Sequence, residues 1–184
     1  MRATGALVTL RPFRADELDA VVAARRRQDG LVPDRSGVSE ESLRRRVASS
    51  GTMTRHELFL AIEAEGRLVG EVQARRSAEV MPQGVFELGI EIYEEADRGR
   101  GFGSDAVSAI TSHLFEREGA HRVQASTDVE NAPMRRVLER LGFGFEGILR
   151  GFLRTPAGLR DHAMYAVGAS GWRSGGERSR GEEA

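Results

Sequence analysis

The segment from Arg98 to Ser104 constrains the fold of this chain more than any other feature. It reads Arg-Gly-Arg-Gly-Phe-Gly-Ser and stands between an alternating apolar stretch, Val85 to Tyr93, and a helical one that ends at Glu118. Glycines lack the Cβ atoms that would stop a backbone from curling around an anion. Main-chain N–H groups and the positive end of the following helix dipole can then converge on a phosphate. We therefore predict a strand–loop–helix unit whose loop binds a pyrophosphate, with a plain glycine-rich turn as the alternative.

Two other phosphate-binding motifs do not fit this segment. A P-loop needs G-x-x-x-x-G-K-[ST], but all 27 basic residues of the chain are arginines and there is no lysine. A Rossmann fingerprint needs G-x-G-x-x-G after the first strand of the fold. Here the glycines run G-x-G-x-G and follow several predicted strands.

Hydrophobic periodicity predicts the element order β-α-α-β-β-β-α-β-α-β-β. The predicted strands are Leu7–Pro12, Leu58–Ala64, Leu68–Ala74, Val85–Tyr93, Arg122–Thr127, Phe143–Leu153 and Arg160–Val167, and the predicted helices are 16–28, 39–50, 104–118 and 131–141. Strands that alternate with helices favour an α/β (α+β) fold with a mixed sheet covered on both faces. We predict one domain, residues 1–167, and a polar, disordered tail, residues 168–184.

The predicted strand Val85–Tyr93 has two different faces, because successive side chains of a strand alternate. Phe86, Leu88, Ile90 and Ile92 point one way, whereas Glu87, Gly89, Glu91 and Tyr93 point the other way. The apolar face is expected to lie on the core. The polar face places two carboxylates next to each other on one side of the sheet.

Composition excludes several classes of function. The chain has 184 residues and no cysteine, so disulfides, thiolate metal sites and a cysteine nucleophile are excluded. A net charge of −1 predicts no nucleic-acid partner. No apolar run approaches the ~18 residues of a membrane span, and the N-terminus does not resemble a signal peptide, which predicts a cytoplasmic protein without a membrane partner. The four histidines lack metal-ligand spacing, so no metal is expected.

Two segments resemble the GNAT superfamily of N-acetyltransferases. Arg98-x-x-Gly101-x-Gly103 is similar to the R/Q-x-x-G-x-G/A signature of that family. Asn131 to Phe143 resembles the N-x-x-S-x-x-x-x-E-K-x-G-F segment of the branch that includes the ribosomal-protein (RimJ- and RimL-like) N-terminal acetyltransferases. Glu146–Arg150, Asp161 and Tyr165 also resemble the ending of that branch, so the resemblance covers roughly residues 7 to 167.

The resemblance implies a mostly antiparallel sheet that splays between its fourth and fifth strands, Val85–Tyr93 and Arg122–Thr127. Acetyl-CoA would be the co-substrate and would bind in this gap. The residues implied to contact it are Ile92, Tyr93, Arg98, Gly99, Arg100, Gly101, Phe102, Gly103, Ser104, Asn131 and Arg136. For Asn131 a second role stays open, because it can instead cap the following helix.

The implied activity is transfer of an acetyl group to a primary amine by direct attack in a ternary complex. The acceptor would be a protein N-terminus or a small molecule, and a homodimer is also considered. Glu87 and Glu91 are the candidate general bases, unless they are simply solvated residues of a sheet face. Related enzymes protonate the departing thiolate with a serine or tyrosine, but the matching residues here are Met134 and Leu138. A catalytically weak domain that only binds acetyl-CoA is therefore the alternative.

Overall fold

The computed structural model describes residues 1–27, 40–76 and 82–172, without the side chains of 25–27. Its strands are β1 (Ala3–Thr4), β2 (Thr9–Arg11), β3 (Glu57–Ala64), β4 (Arg67–Arg75), β5 (Val85–Ile92), β6 (Arg122–Asp128), β7 (Gly144–Thr155) and β8 (Gly158–Gly168). Its helices are α1 (Leu18–Arg27), α2 (Glu40–Ala48), α3 (Phe102–Arg117) and α4 (Ala132–Arg140). The predicted helix cap Ser39 and most of the predicted tail lie outside the described residues.

The described strands form one eight-stranded sheet with the order β1-β2-β3-β4-β5-β6-β8-β7. Every neighbouring pair is antiparallel except β5 and β6, which are parallel. This confirms the prediction of a mixed, mostly antiparallel sheet. Strand β1 was not predicted, because two residues are too few to show a periodicity. The predicted fourth and fifth strands are consequently β5 and β6.

Strands β5 and β6 pair along only part of their length. Their register runs from Val85 opposite Arg122 to Leu88 opposite Ala125. Strand β5 nevertheless continues to Ile92, and β6 continues to Asp128. In the described sheet, residues 89–92 of β5 and 126–128 of β6 therefore have no partner in the other strand. A gap opens between these two strands.

Each face of the sheet carries its own helices and its own core. The larger core lies against α3 and α4, where Phe86 and Leu88 of β5 are buried, as their alternation predicts. The smaller core contains Leu43 and Val47 of α2. The opposite face of β5 bears the polar residues, so the sequence pattern sorts the two faces correctly. Among the described helices, none is long and apolar enough to span a membrane.

The C-terminal boundary of the domain differs from the prediction. Residues 168–172 were expected in a disordered tail, but β8 runs to Gly168 and the chain then makes a helical turn to Gly171. Trp172 donates a hydrogen bond from Nε1 to Ser112 Oγ at 3.0 Å and packs against Phe115 and Phe143. A single large aromatic side chain thus ties this part of the polar segment to the core.

Candidate active site

The glycine segment forms the start of α3. The helix begins at Phe102, two residues before its predicted start, so Gly103 and Ser104 belong to its first turn. Gly99 and Gly101 have φ angles of +75° and +87°, a conformation that side-chain-bearing residues rarely adopt. The first N–H groups of a helix have no partner within the helix, and the dipole makes this end positive. The loop thus presents backbone donors at a site suited to an anion.

A cleft of about 820 Å³ adjoins these donors, and we name it the glycine-loop cleft. It is lined by Ile90, Glu91, Ile92, Asp97, Arg98, Gly99, Gly101, Gly103, Ser104, Asn131, Pro133, Met134, Arg136, Val137 and Arg140. Three arginines, Arg98, Arg136 and Arg140, contribute positive charge. The cleft therefore combines backbone N–H groups with guanidinium groups, as polyphosphate recognition requires.

The acidic residue Asp97 does not oppose this positive charge, because it is already paired. Arg67 donates from Nη1 and Nη2 to its two carboxylate oxygens at 2.7 and 2.6 Å. This hydrogen-bonded arginine holds the pKa of Asp97 below its ordinary value. The pair fastens the short turn before the glycine segment to the first residue of β4.

Three of the residues that sequence reasoning assigned to the cofactor direct their side chains elsewhere. The Arg100 guanidinium binds Glu65 and Asp97 and lies 4.7 Å from the ring centroid of Phe102. Phe102 itself is buried in the larger core. Tyr93 donates its hydroxyl to Glu71 Oε2 at 2.9 Å. These side chains do not line the glycine-loop cleft, so cofactor contact at these positions stays a prediction for their backbone atoms.

The N-terminal segment is attached to the first turn of α3. The N–H groups of Ala6, Leu7 and Val8 donate to the carboxylate of Asp105 at 3.0, 2.6 and 2.9 Å. A Cβ atom at Gly5 would lie 2.2 Å from that carboxylate, so a side chain at this position would displace it. Backbone donors thus hold the acidic side chain of this first turn against the N-terminal segment.

A second cleft, of about 700 Å³, lies on the opposite face of β5, and we name it the carboxylate cleft. Its lining includes four glutamates, Glu57, Glu71, Glu87 and Glu91. Arg75 donates to Glu87 at 2.6 Å, and Arg46 donates to both oxygens of Glu57 at 2.6 and 2.7 Å. Among the residues that the structure describes, no three His, Cys, Asp or Glu side chains are grouped to hold a metal ion.

The floor of the carboxylate cleft is shaped by Gly89. A Cβ atom there would lie 2.5 Å from Gln73 Nε2, so the Gln73 amide occupies the space above the strand. Arg46 holds this amide in place by donating from Nη2 to Gln73 Oε1 at 2.6 Å. Sequence reasoning missed Arg46 and Gln73, because their meeting depends on how α2 packs against β4.

The two clefts meet where β5 leaves β6. Ile90, Glu91, Asn131 and Met134 line both of them. Asn131 Oδ1 accepts from the N–H of Met134 at 3.2 Å, which confirms the helix-capping role that the sequence left open. Of the two residues that replace the usual serine or tyrosine, Leu138 is fully buried, whereas Met134 faces the junction.

The far wall of the carboxylate cleft includes Ser126 of β6 and His162 of β8, which sequence reasoning also missed. Ser126 Oγ lies 3.4 Å from His162 Nδ1, and the ring of Phe152 lies 5.2 Å from the histidine ring. Burial lowers the pKa of His162. Alternation along Arg122–Thr127 was the available signal, since it places Ser126 on the same face as Gln124.

Adjacent arginines of α4 have different surroundings. Arg136 lines the glycine-loop cleft, as the sequence reasoning required. Arg135 instead donates from Nε to Tyr165 Oη at 3.1 Å and from Nη1 to the Val129 carbonyl at 3.1 Å. Tyr165 is fully buried and donates its hydroxyl to Glu139 at 2.8 Å. Arg135 therefore holds α4 on the sheet, while Arg136 faces the cleft.

Comparison with known sequences relates the chain to acetyltransferases. A family model described as an acetyltransferase (GNAT) domain matches residues 8–144. The probable N-acetyltransferase YjcK of Bacillus subtilis (strain 168) is 31% identical over 74 residues, 40% of this chain and 41% of that protein. The uncharacterized N-acetyltransferase YoaA of the same strain is 32% identical over 81 residues, which are 44% of this chain and 45% of that protein. The matched segment spans less than half of either relative.

Solved structures share the fold. RimJ of Mycobacterium smegmatis, solved in complex with CoA-disulfide, superposes with a TM-score of 0.74 at 23% identity over 92% of this chain and 87% of that chain. RimL, a ribosomal L7/L12 alpha-N-protein acetyltransferase solved with coenzyme A, superposes with a TM-score of 0.73 at 19% identity, over 89% of this chain and 94% of that chain. The family match over most of the length agrees with the parted strands β5 and β6 and with the glycine loop at the start of α3. This chain therefore belongs to the GNAT acetyltransferase family.

Proposed function

We propose that this protein transfers an acetyl group from acetyl-CoA to a primary amine by direct attack in a ternary complex. The observation that carries the proposal is the meeting of two unlike clefts at the point where β5 leaves β6. One cleft is built for an anion and the other is rich in carboxylates, so an acyl donor and an amine can approach the same point from opposite faces of the sheet.

The glycine-loop cleft would hold the donor. Its pyrophosphate would lie on the N–H groups of the first turn of α3, with Arg98 and Arg136 as its cationic partners. The pantetheine arm would extend along residues 90–92 of β5, which pair with β4 on one side but not with β6 on the other, because an open strand edge can bind an extended chain as an added strand. Arg98 donates to the Ile92 carbonyl at 3.3 Å and lies at the end of this edge. This course of the arm brings the thioester to the junction, next to Glu91 and Met134.

The carboxylate cleft would hold the acceptor. An amine must be neutral to attack the thioester, but the ordinary pKa of an α-amino group is about 8 and that of a lysine is about 10. A carboxylate can first bind the ammonium group by its charge and then take its proton, which leaves the neutral amine. Glu91 is the better placed of the two predicted bases, since it lines both clefts. Glu87 lies only in the carboxylate cleft and already binds Arg75.

The acceptor class that we propose is the N-terminal amine of a protein. The carboxylate cleft is open, acidic and large enough for the first residues of a peptide. RimL, whose fold this chain shares, is described as an acetyltransferase of a ribosomal protein N-terminus. A small-molecule amine such as a polyamine is the competing acceptor, because a cation of either kind would be attracted to Glu91, whereas Glu57 and Glu87 are already paired with arginines.

The test uses the full chain, acetyl-CoA and a panel of acceptors that contains N-terminal peptides, polyamines and aminoglycosides. We expect acetyl-CoA binding by calorimetry and release of free CoA thiol with at least one peptide whose N-terminus is free. The same peptide with a blocked N-terminus is the matched control and should release no thiol. Turnover of the small amines but of no peptide would reject the proposed acceptor class.

A second function follows from Met134. This residue occupies the junction but cannot donate a proton, and Leu138 is buried. A domain that binds acetyl-CoA without using it would show this combination. Tight binding of acetyl-CoA together with no thiol release for any acceptor would favour this reading over catalysis.

A further inference from the structure

The carboxylate cleft contains a serine–histidine pair, Ser126 and His162, that has no role in the amine binding proposed above. Ser126 is the first residue of β6 beyond its last pairing with β5, Ala125 opposite Leu88. Its hydroxyl lies 3.4 Å from Nδ1 of His162, and both side chains line the cleft. The pair therefore lies at the point where the gap between the strands begins.

This is also the point where a proton is needed. The reaction breaks the thioester C–S bond, and a thiol of pKa about 8.5 is mainly protonated at pH 7, so the departing sulfur must acquire a proton. Neither Met134 nor Leu138 can supply it. The donor is therefore water or a side chain of another element that reaches the junction.

Strand geometry directs the Ser126 hydroxyl into the cleft. Side chains alternate along β6, and Gln124, two residues earlier, reaches Glu87 on the carboxylate face. Ser126 shares that face. Thr127, the next hydroxyl along β6, also borders the cleft, but it alternates to the other face of the strand and is only 7% exposed.

His162 is suited to replace the proton that Ser126 gives away. Burial is the main cause that lowers its pKa, which keeps the ring neutral at pH 7. Asp128 and Glu87 face it and oppose this shift, while Arg160, bound to Asp128 at 2.7 Å, favours it. A neutral imidazole has one N–H and one acceptor nitrogen. It can release a proton from one nitrogen and take one at the other without becoming charged.

We propose that Ser126 Oγ donates the proton to the departing CoA thiolate and that His162 resupplies it, an inference that rests on the acetyl transfer proposed above. The amine nitrogen bonds to the acetyl carbon as the C–S bond breaks, and the amine proton passes to Glu91 and then to solvent. The Ser126 proton moves to sulfur, the Nδ1 proton moves to Ser126, and cleft water protonates Nε2. The hydroxide left by that water takes up the amine proton that reaches solvent, and exchange with water returns the ring proton from Nε2 to Nδ1 before the next turnover. One proton leaves the amine and one reaches the thiol.

The test compares kcat of the full chain and its variants with acetyl-CoA and an active acceptor. Ser126→Ala should lower kcat about 100-fold, the lower end of the usual range for losing a general acid, with unchanged CoA affinity and acceptor KM. His162→Asn keeps a donor near Ser126 but lacks a second nitrogen that could take up a proton. It should lower kcat similarly. The control Ser112→Ala removes a hydroxyl of α3 that accepts from Trp172, and should keep the kcat of the wild type.

Rescue separates a donor from a structural residue. Adding Met134→Ser to Ser126→Ala places a hydroxyl at the junction from α4, and should raise kcat about fivefold or more above Ser126→Ala alone. Met134→Ser by itself is measured as the reference. A packing defect in β6 would not be repaired from another element, so a loss of kcat without rescue would overturn the donor role.

Two further outcomes are distinguishable. In the first, the wild type turns over and the kcat values of Ser126→Ala and His162→Asn stay within about twofold of it. This result would overturn the inference and leave the acetyl transfer intact, because a catalytic acid contributes much more than twofold. A wild-type protein that binds acetyl-CoA but turns over no acceptor would overturn the proposed function, and this proton path with it.

Discussion

The two clefts that meet at β5 are built by different means. The glycine-loop cleft depends mainly on backbone atoms of one continuous segment, the turn into α3, with arginines around it. The carboxylate cleft depends on side chains from six strands, β3 to β8, and Arg46 of α2 holds two of these side chains in place. The difference teaches which part of such a site a sequence can reveal: a backbone site is contiguous, whereas a side-chain site exists only after packing.

Gly103→Asp tests the backbone character of the glycine-loop cleft and should have the largest effect. A carboxylate in the first turn of α3 would repel the pyrophosphate and should weaken acetyl-CoA binding about 100-fold or more, about 2.7 kcal/mol. Calorimetry measures this directly. Gly101 is less informative, because its φ of +87° makes any side chain strain the loop.

Gly103→Ala is the matched control for that change. A Cβ atom at Gly103 would make only ordinary contacts, 3.7 Å from Ile92 Cγ1 and 3.9 Å from Ile90 Cδ1. The alanine variant should therefore keep its affinity for acetyl-CoA and its melting temperature. Equal affinities of the aspartate and alanine variants would show that no phosphate binds at this turn.

Glu91→Gln tests the side-chain character of the carboxylate cleft. Loss of a general base should lower kcat about 100-fold, within the usual range for such groups, and leave acetyl-CoA affinity nearly unchanged. Steady-state kinetics with calorimetry separates the two quantities. Glu87→Gln, on the same strand face but paired with Arg75, should lower kcat much less. A reversed order of the two variants would make Glu87 the base.

The adjacent arginines of α4 give the smallest expected effect and sharpen the comparison. Arg136→Ala should weaken acetyl-CoA binding about fivefold, as expected for one solvent-exposed charge, and the loss should shrink as salt is added. Arg135→Ala should instead lower the melting temperature, because it removes donors to Tyr165 and Val129. Calorimetry and thermal unfolding of both variants measure this contrast. Equal effects on affinity would mean that Arg135 also reaches the cofactor.

Local patterns predicted much of the fold. The alternation in β5 correctly assigned Phe86 and Leu88 to the core and Glu87 and Glu91 to the opposite face. The glycine spacing located the turn before α3, although the helix starts at Phe102 because the first turn needs no apolar periodicity. A composition rich in Gly, Ser, Arg and Glu hid the anchoring role of Trp172.

The acceptor side could not be predicted in the same way. Gln73 looked like an ordinary residue of a hairpin, and its position above Gly89 depends on Arg46, 27 residues away along the chain. Ser126 and His162 are 36 residues apart and meet only because β6 and β8 are neighbours in the sheet. No spacing rule in one sequence encodes such meetings, since they arise from strand order.

The attachment of the N-terminal segment to Asp105 joins the edge of the sheet to the helix that begins at the glycine loop. Three amide hydrogens, those of Ala6, Leu7 and Val8, are protected from exchange with solvent only while that carboxylate stays in place. A ligand that immobilises the first turn of α3 should consequently slow deuterium uptake at these three amides. Deuterium uptake at the first residues of the chain can then report ligand binding at the start of α3, about a hundred residues further along.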